Sequence, residues 1–369
     1  MRLPSGDSAI LLVRHADVAA AVLDPRLSRN HVLPQAPRNS AEPNFLYDPD
    51  LMINQETATH SLIHRITTQT LSAPRVATYR PLIERVATEL ADRMGDRGPV
   101  VDLVESFTDW FPLRTIGALL GVPPDAYGDI RRWSGAYTMS QHVEADERAV
   151  LNDEFDAFVR DLTADPSRTR PGAPLLRDLA DSTVEGARLS DADLMSIVKL
   201  LLSAGSEAPA AVLGRSVLYL LTAGAERWAR LPNDEDGMGA VVEELLRLVY
   251  AGNAAALRTA LADIELPSGT VPAGQPVLLA WISALHDPEV YEAPQQFRPG
   301  RPAPRNIGFG GGRHYCPGVS MAKTVLTVAL LTLADRFPGL RLAVPETEVP
   351  LAEREIGTLV QSLPVTLAG

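Results

Sequence analysis

A single cysteine, Cys316, among 369 residues excludes any disulfide within the chain and points to a reducing, cytoplasmic setting. Positive charge is also scarce. Lys and Arg number 34 against 46 Asp and Glu, a net charge of −12, so the chain is a poor partner for a nucleic-acid backbone, although a local basic patch remains possible. No apolar run is long and clean enough to read as a membrane span. The most apolar stretch, residues 194–221, is interrupted by Lys199, Ser203, Glu207, Pro209 and Arg215 and reads as a buried helix. The first eight residues lack the charged-then-apolar order of a targeting segment. There is no internal repeat and no glycine- and serine-rich linker. What is present is a 46% hydrophobic, 22% charged composition, enough for a substantial core and unlike that of a disordered chain. Length alone suggests about two domains or one large fold.

Helical periodicity dominates. Helices are predicted over 13–23, 60–70, 76–94, 102–120, 125–139, 144–163, 235–250 and 318–336. Gly121 and Pro123-Pro124 supply the stop after Leu120. A helix of about thirty residues is predicted from Ser190 to near Thr222, with Ser190 as N-cap and Asp191 and Asp193 in its first turn. Strand signals are fewer, at 10–13, 257–266, 270–279, 340–344 and 363–367. The proline-bearing segment 30–49 reads as a long loop of the kind that is usually functional or mobile. The implied fold class is mainly α with small β-sheets.

The most informative segment runs Gly308-Phe309-Gly310-Gly311-Gly312-Arg313-His314-Tyr315-Cys316-Pro317-Gly318 and leads into an apolar helix. Taken plainly, it is a glycine-rich loop with a buried cysteine. Three features argue for more. Glycines let backbone amides approach a bound group. A cysteine just before a helix N-terminus is favoured as thiolate. Arg313 and His314 add positive potential, and together these make an anion-stabilising nest around one sulfur.

This segment resembles the signature of the haem-thiolate cytochrome P450 monooxygenases, with Phe309, Gly312, His314, Cys316 and Gly318 in register. The resemblance implies that haem b (iron protoporphyrin IX) is the cofactor and that Cys316 is its iron ligand. Thiolate ligation in that family favours O–O cleavage. It further implies that Phe309 packs near the sulfur, that His314 hydrogen-bonds a propionate, and that the helix from Gly318 runs beneath the macrocycle. Glu244 and Arg247, alone an ordinary i,i+3 pair, resemble the family's Glu-x-x-Arg brace. The usual third, basic member of that brace falls at Gln296, before Phe297, which leaves that leg in question. Arg258 resembles a propionate-pairing strand arginine. His60 and His64 occupy a helix where relatives often carry histidine and, four residues on, arginine, both reaching propionates; two histidines at that spacing would also suit a metal. The resemblance covers nearly the whole chain. It implies one P450-like domain over 1–369, short at its N-terminus by roughly a helix and part of the first sheet.

In the long helix, Ala204, Gly205 and Glu207 match the family's oxygen-activation pattern, but Ala208 stands in the threonine position and Pro209 follows. The family threonine helps deliver protons, so a water, the substrate or another side chain must replace it. Proline removes its own N–H bond to the carbonyl four residues back, predicting a kink and a freed Gly205 carbonyl that could hold a water. Gly205, Glu207 and Ala208 are therefore the expected catalytic group. Ser203, Ala204, Pro209 and Asn253, with the loop 30–55 and the small-residue segment 250–257, are expected to line a pocket for a bulky substrate.

Three readings follow. One is a bacterial-type tailoring monooxygenase of specialised metabolism. Another is oxidative coupling, ring formation or peroxide-driven chemistry. The last is a non-catalytic partner protein of another biosynthetic enzyme. Known auxiliary proteins of that last kind lack the cysteine, whereas Cys316, His314 and Phe309 are all present here. The resemblance also implies electron supply by a ferredoxin and its reductase, with peroxide as an alternative, and no nucleic-acid or membrane partner. Arg65, Arg75, Arg313 and Lys323 are candidates for a docking patch.

Overall fold

The computed structural model describes the chain except residues 4–5, 32, 34–35, 37–47, 49–50, 139–142, 165–171, 223, 250–255, 355–356 and 368–369. It begins with strand β1 (Ile10–Leu12), helix α1 (His15–Leu23) and β2 (Leu27–Ser28). Helices α2 (Ala58–Thr70) and α3 (Ala73–Gly95) follow, then β3 (Val100–Asp102) and α4 (Trp110–Leu120). Next come α5 (Tyr127–Tyr137), α6 (Ala145–Thr163), α7 (Pro174–Asp181), α8 (Asp191–Thr222), α9 (Ala225–Ala229) and α10 (Glu235–Leu248). Strands β4 (Ala256–Ala260), β5 (Ile264–Leu266), β6 (Gly269–Val271) and β7 (Pro276–Leu279) lead to α11 (Trp281–Leu285) and α12 (Val319–Arg336). The chain closes with β8 (Arg341–Leu342), β9 (Leu351–Arg354), β10 (Gly357–Val360) and β11 (Pro364–Thr366).

Local chemistry sets these boundaries. Ser190 and Asp193 form a reciprocal cap on α8. The Asp193 amide donates to the Ser190 hydroxyl (3.1 Å), and the Ser190 amide donates to the Asp193 carboxylate (3.2 Å). Thr57 accepts the His60 amide at the start of α2, and Asp234 accepts the Gly237 amide at the start of α10. Gly121 ends α4 in the left-handed region, at φ 80°. The expected helix from Asp102 starts later. Residues 100–102 pair with β11 instead, and the Asp102 carboxylate accepts the amides of Val104 and Leu363. A π-helical turn, Val104–Thr108, then leads into α4.

Helix α8 crosses the interior against α4, α5, α6 and α12, while α12 also packs on α3 and α10. By length and composition α8 could cross a membrane, but 61% of its apolar window is buried inside the fold. One sheet has the order β1-β7-β4-β2, with β1 and β7 parallel. A second is β3-β11-β8, and β5-β6 and β9-β10 are hairpins. Each of the two expected strands after residue 255 splits in two. The Leu261 amide leaves the ladder to donate to the Arg26 carbonyl (2.8 Å), and Gly274 turns at φ 80°.

Candidate active site

The cysteine loop is folded by its own backbone. Asn306 accepts the Gly308 amide (2.9 Å), Gly310 and Gly312 take φ values of +74° and +58°, and the Cys316 amide donates to the Phe309 carbonyl (2.9 Å). At Gly312 a Cβ would lie 3.0 Å from the Val22 carbonyl oxygen, so a side chain is excluded both by the turn and by α1. The sulfur lies before the first turn of α12. Burial pushes the Cys316 thiol up, while the Gly318 amide, which hydrogen-bonds it, and the Arg29 guanidinium pull it down. A Cβ on Gly318 would sit 3.9 Å from the sulfur, in ordinary van der Waals contact with it.

Around the loop the structure collects charge and imidazole. His60, 2% exposed, has its ring 4.8 Å from that of His314 and 5.7 Å from that of His64. His314 donates Nε2–H to Glu56 (3.3 Å). Burial outweighs that carboxylate and lowers His314 to about 4, so at neutral pH the contact is a hydrogen bond from a neutral ring. Burial also raises Glu56, but bonds from His314, the Ser28 hydroxyl and the Arg29 amide bring it down to about 2. His31, lowered to about 3 by burial and by Arg29 and Arg258, belongs to the same group. Glu56, Arg29 and His31 were not singled out in the sequence. Nothing in their spacing marks them, because two separate segments, one after β2 and one before α2, bring them to the cysteine loop.

Two features here call for an anion. Arg258 on β4 is 6% exposed, and its guanidinium donates to the Leu257 carbonyl (2.8 Å) but makes no ion pair among the described residues, the Glu56 carboxylate acting on it only through space. Burial lowers its pKa to about 9, and an unpaired buried charge costs several kcal/mol. His60 Nε2 is buried without a hydrogen-bond partner among the described residues. Both are what a propionate-bearing macrocycle above Cys316 would satisfy, so the residues present fit haem. No group of three or more metal-ligating side chains occurs among the described residues.

His64 is the exception. Its Nε2–H donates to the Tyr315 carbonyl at 2.7 Å, so its expected reach to a propionate is replaced by a bond to the cysteine loop itself. Glu244 and Arg247 also differ from a surface pair, at 3% exposure each. Arg247 grips the carboxylate through Nε and Nη2 (3.0 and 2.9 Å) and donates to the Leu285 carbonyl. The third member is Arg301, not a residue at Gln296. Its Nε donates to both Glu244 oxygens (3.1 and 3.2 Å), and its Nη2 donates to the Gln296 carbonyl.

On α8, Ala204 and Ala208 lie one turn apart on one face and are exposed in the middle of an otherwise buried helix, which makes that face the wall of a cleft. The helix runs unbroken through Pro209. Gly205 packs on α4, where a Cβ would meet Ile116 at 3.4 Å. Ser203 does not line the cleft as expected. It is 1% exposed and its hydroxyl donates back to the Lys199 carbonyl (2.9 Å). Asn253 lies outside the described residues, as do most of 250–257 and much of 30–55. Glu207 points toward α5, where Ser134 donates to Oε1 (2.9 Å) and Thr138 to Oε2 (2.6 Å). Behind the helix, Glu207 borders a cavity of about 290 Å³ shared with Asp109, Arg131, Ser134 and Ser206.

Of the four candidate docking cations, three are already paired: Arg65 with Glu185, Arg75 with Asp178 and Lys323 with Glu243. Arg313 stays exposed in the loop, and Arg305 stacks on the Tyr315 ring, 3.3 Å from its centroid.

A sequence model of the family described as Cytochrome P450 matches residues 238–367. Nocardicin C N-oxygenase of Nocardia uniformis subsp. tsuyamanensis is 32% identical over 99% of this chain and 91% of its own. Mycinamicin IV hydroxylase/epoxidase of Micromonospora griseorubida is 32% identical over 96% and 88%. Among solved structures, the LnmA cytochrome P450 hydroxylase from the leinamycin biosynthetic pathway of Streptomyces atroolivaceus S-140 superposes with a TM-score of 0.88 at 32% identity, covering 99% of this chain and 92% of that one.

Proposed function

The chain belongs to the cytochrome P450 family and is a haem-dependent tailoring monooxygenase acting on a small molecule; we propose that Cys316 ligates its iron and that its substrate is a bulky product of bacterial specialised metabolism. The whole chain is read as one domain, in which terminal strands complete both main sheets. The observation that carries the haem assignment is the buried Arg258, which makes no ion pair among the described residues and lies in the same group as His314 and His31. In this reading Arg258, His60 and His314 hold the propionates, and Gly318 steadies the sulfur through its amide. Haem, when bound, supplies the iron centre at which dioxygen is activated. The protein's own work is to seat it, to exclude bulk water, and to present protons and substrate.

Proton handling is the unusual part. Ala208 has no hydroxyl, and Pro209 has no N–H for the Gly205 carbonyl. A water on that carbonyl, or a hydroxyl of the substrate itself, fills the role on the cleft side. Glu207 supplies protons from behind, through its carboxylate oxygens on Ser134 and Thr138 and the cavity it borders. The substrate occupies the cleft faced by Ala204 and Ala208, whose methyl groups leave room for bulk. Electrons come from a ferredoxin and its reductase, and the chain works in the cytoplasm.

A second reading, oxidative coupling or ring formation, is favoured by Ala208. Radical coupling needs less controlled protonation, and among the similar structures is a P450 with biaryl coupling reactivity, at 29% identity and a TM-score of 0.84. The test is a carbon monoxide difference spectrum of the reduced, haem-loaded protein. A thiolate-type Soret band that disappears in Cys316→Ala is expected; its absence from the unmodified protein overturns the ligand assignment. Label from dioxygen in the product supports monooxygenation, and its absence with ring closure or dimer formation supports coupling.

A further inference from the structure

His64 stands where a propionate contact was expected, four residues after His60 and on the same helix. The two rings are 5.7 Å apart, yet their polar atoms have different fates. His60 Nε2 has no partner among the described residues. His64 Nε2 is fully engaged, 2.7 Å from the carbonyl oxygen of Tyr315, 251 residues away in sequence. A carbonyl accepts only, so the ring must carry hydrogen on Nε2, and it is the donor.

The Tyr315 carbonyl belongs to the peptide unit that carries the Cys316 amide. That amide donates to the Phe309 carbonyl at 2.9 Å. One rigid peptide plane is therefore pinned at both ends, its oxygen by α2 and its N–H by the loop. Fixing that plane fixes the direction in which the next Cα–Cβ bond, that of Cys316, leaves the backbone. Donation to the carbonyl also polarises the peptide and strengthens the donor power of its own N–H. The neighbouring ring is held too, because Arg305 stacks on Tyr315.

We propose that His64 is a positioning residue for the cysteine loop, which aims the Cys316 sulfur by anchoring the Tyr315–Cys316 peptide to α2, while His60 alone of this pair serves the propionates. The proposal rests on the reading of Cys316 as the iron ligand. It distinguishes this chain from an arrangement in which both residues of the pair bind the cofactor's carboxylates.

The decisive variants are His64→Phe, which keeps a ring without a donor, and the equal-length pair His64→Gln and His64→Met, with and without an amide hydrogen. Each is prepared as the haem-loaded enzyme. Three quantities are read: the share of the reduced carbon monoxide adduct in the thiolate-type rather than the blue-shifted form, the ferric/ferrous potential, and the haem dissociation constant. The donor-free variants should lose several-fold more of the thiolate-type adduct and shift in potential, with haem affinity changed less than in His60→Phe. His64→Gln should restore the unmodified spectrum. If His64→Phe does not accumulate, the Gln and Met pair carries the same comparison. The idea is overturned if the Met and Gln variants are indistinguishable, or if His64→Phe lowers haem affinity as His60→Phe does while leaving the adduct intact. Failure of the cysteine assignment looks different, because the unmodified enzyme itself would then lack the thiolate-type band.

Discussion

At the scale of single residues, the buried carboxylates decide most. Glu244 accepts from two guanidiniums and from the Arg298 amide (3.0 Å) inside the protein. Removing it leaves Arg247 and Arg301 buried without their counter-charge, a loss of about 3–5 kcal/mol. Glu244→Ala should therefore unfold in chemical denaturant at a clearly lower midpoint, and haem-loaded protein should be recovered poorly. Arg301→Ala should cost less, because Arg247 keeps its bidentate grip. Glu56 makes a pH statement. Its carboxyl, brought down to about 2 by His314, Ser28 and Arg29, has a folded pKa below its unfolded one. The stability it adds is present above the ordinary carboxylate pKa and fades as pH falls toward 2. Acid titration of the unmodified protein beside Glu56→Gln should show a smaller pH-dependent loss in the variant across that window; equal slopes would refute the assignment.

The helices set what the sequence could reveal. Where capping chemistry is local, as at Ser190 and Asp193 or at Gly121, boundaries were readable to within a residue or so. Where partners are remote, they were not: Asp102 reads as the start of a helix until Pro364–Thr366 arrives to pair with Val100–Asp102. Helices α7, α9 and α11 have only five to eight residues, too short for periodicity to announce them, and the β9–β10 hairpin escaped for the same reason. Within the site, Cys316 and its glycines were legible because one loop carries them. The Arg301 brace, the Glu56 group and the His64 bond are contacts between distant segments, and spacing says nothing of them. Helix α8 carries the next prediction. Ala208→Thr adds a hydroxyl on the exposed face beside Ala204. If a substrate or water hydroxyl now fills that role, the variant should bind its substrate several-fold more weakly while wasting less reductant as peroxide. Glu207→Gln, which keeps the contacts to Ser134 and Thr138 but no exchangeable acid, should slow turnover at unchanged substrate affinity. Both are read from product formed per reducing equivalent and from the substrate-induced spectral shift.

At the scale of the whole molecule, charge opposes docking before it helps it. A chain with a net charge of −12 repels an acidic electron carrier at long range, so any attraction must come from a local patch on the cysteine side. The fold weakens that patch by spending Arg65 on Glu185, Arg75 on Asp178 and Lys323 on Glu243. Arg313, exposed two residues before Tyr315, stands closest in sequence to the sulfur. Electrostatic steering should then be shallow and carried mainly by one arginine. Raising the salt should reduce ferredoxin-supported reduction only modestly, since the local attraction and the long-range repulsion are screened together. Arg313→Glu should raise the ferredoxin concentration needed for half-maximal reduction by about tenfold, equivalent to ~1.4 kcal/mol, with peroxide-supported turnover unchanged. Arg65→Glu or Lys323→Glu should do less, because each cation is already held in an ion pair with a neighbouring acid and is less available to contact the partner. A steep salt dependence, or equal effects at all three positions, would instead mean that the paired cations open their bridges to meet the partner.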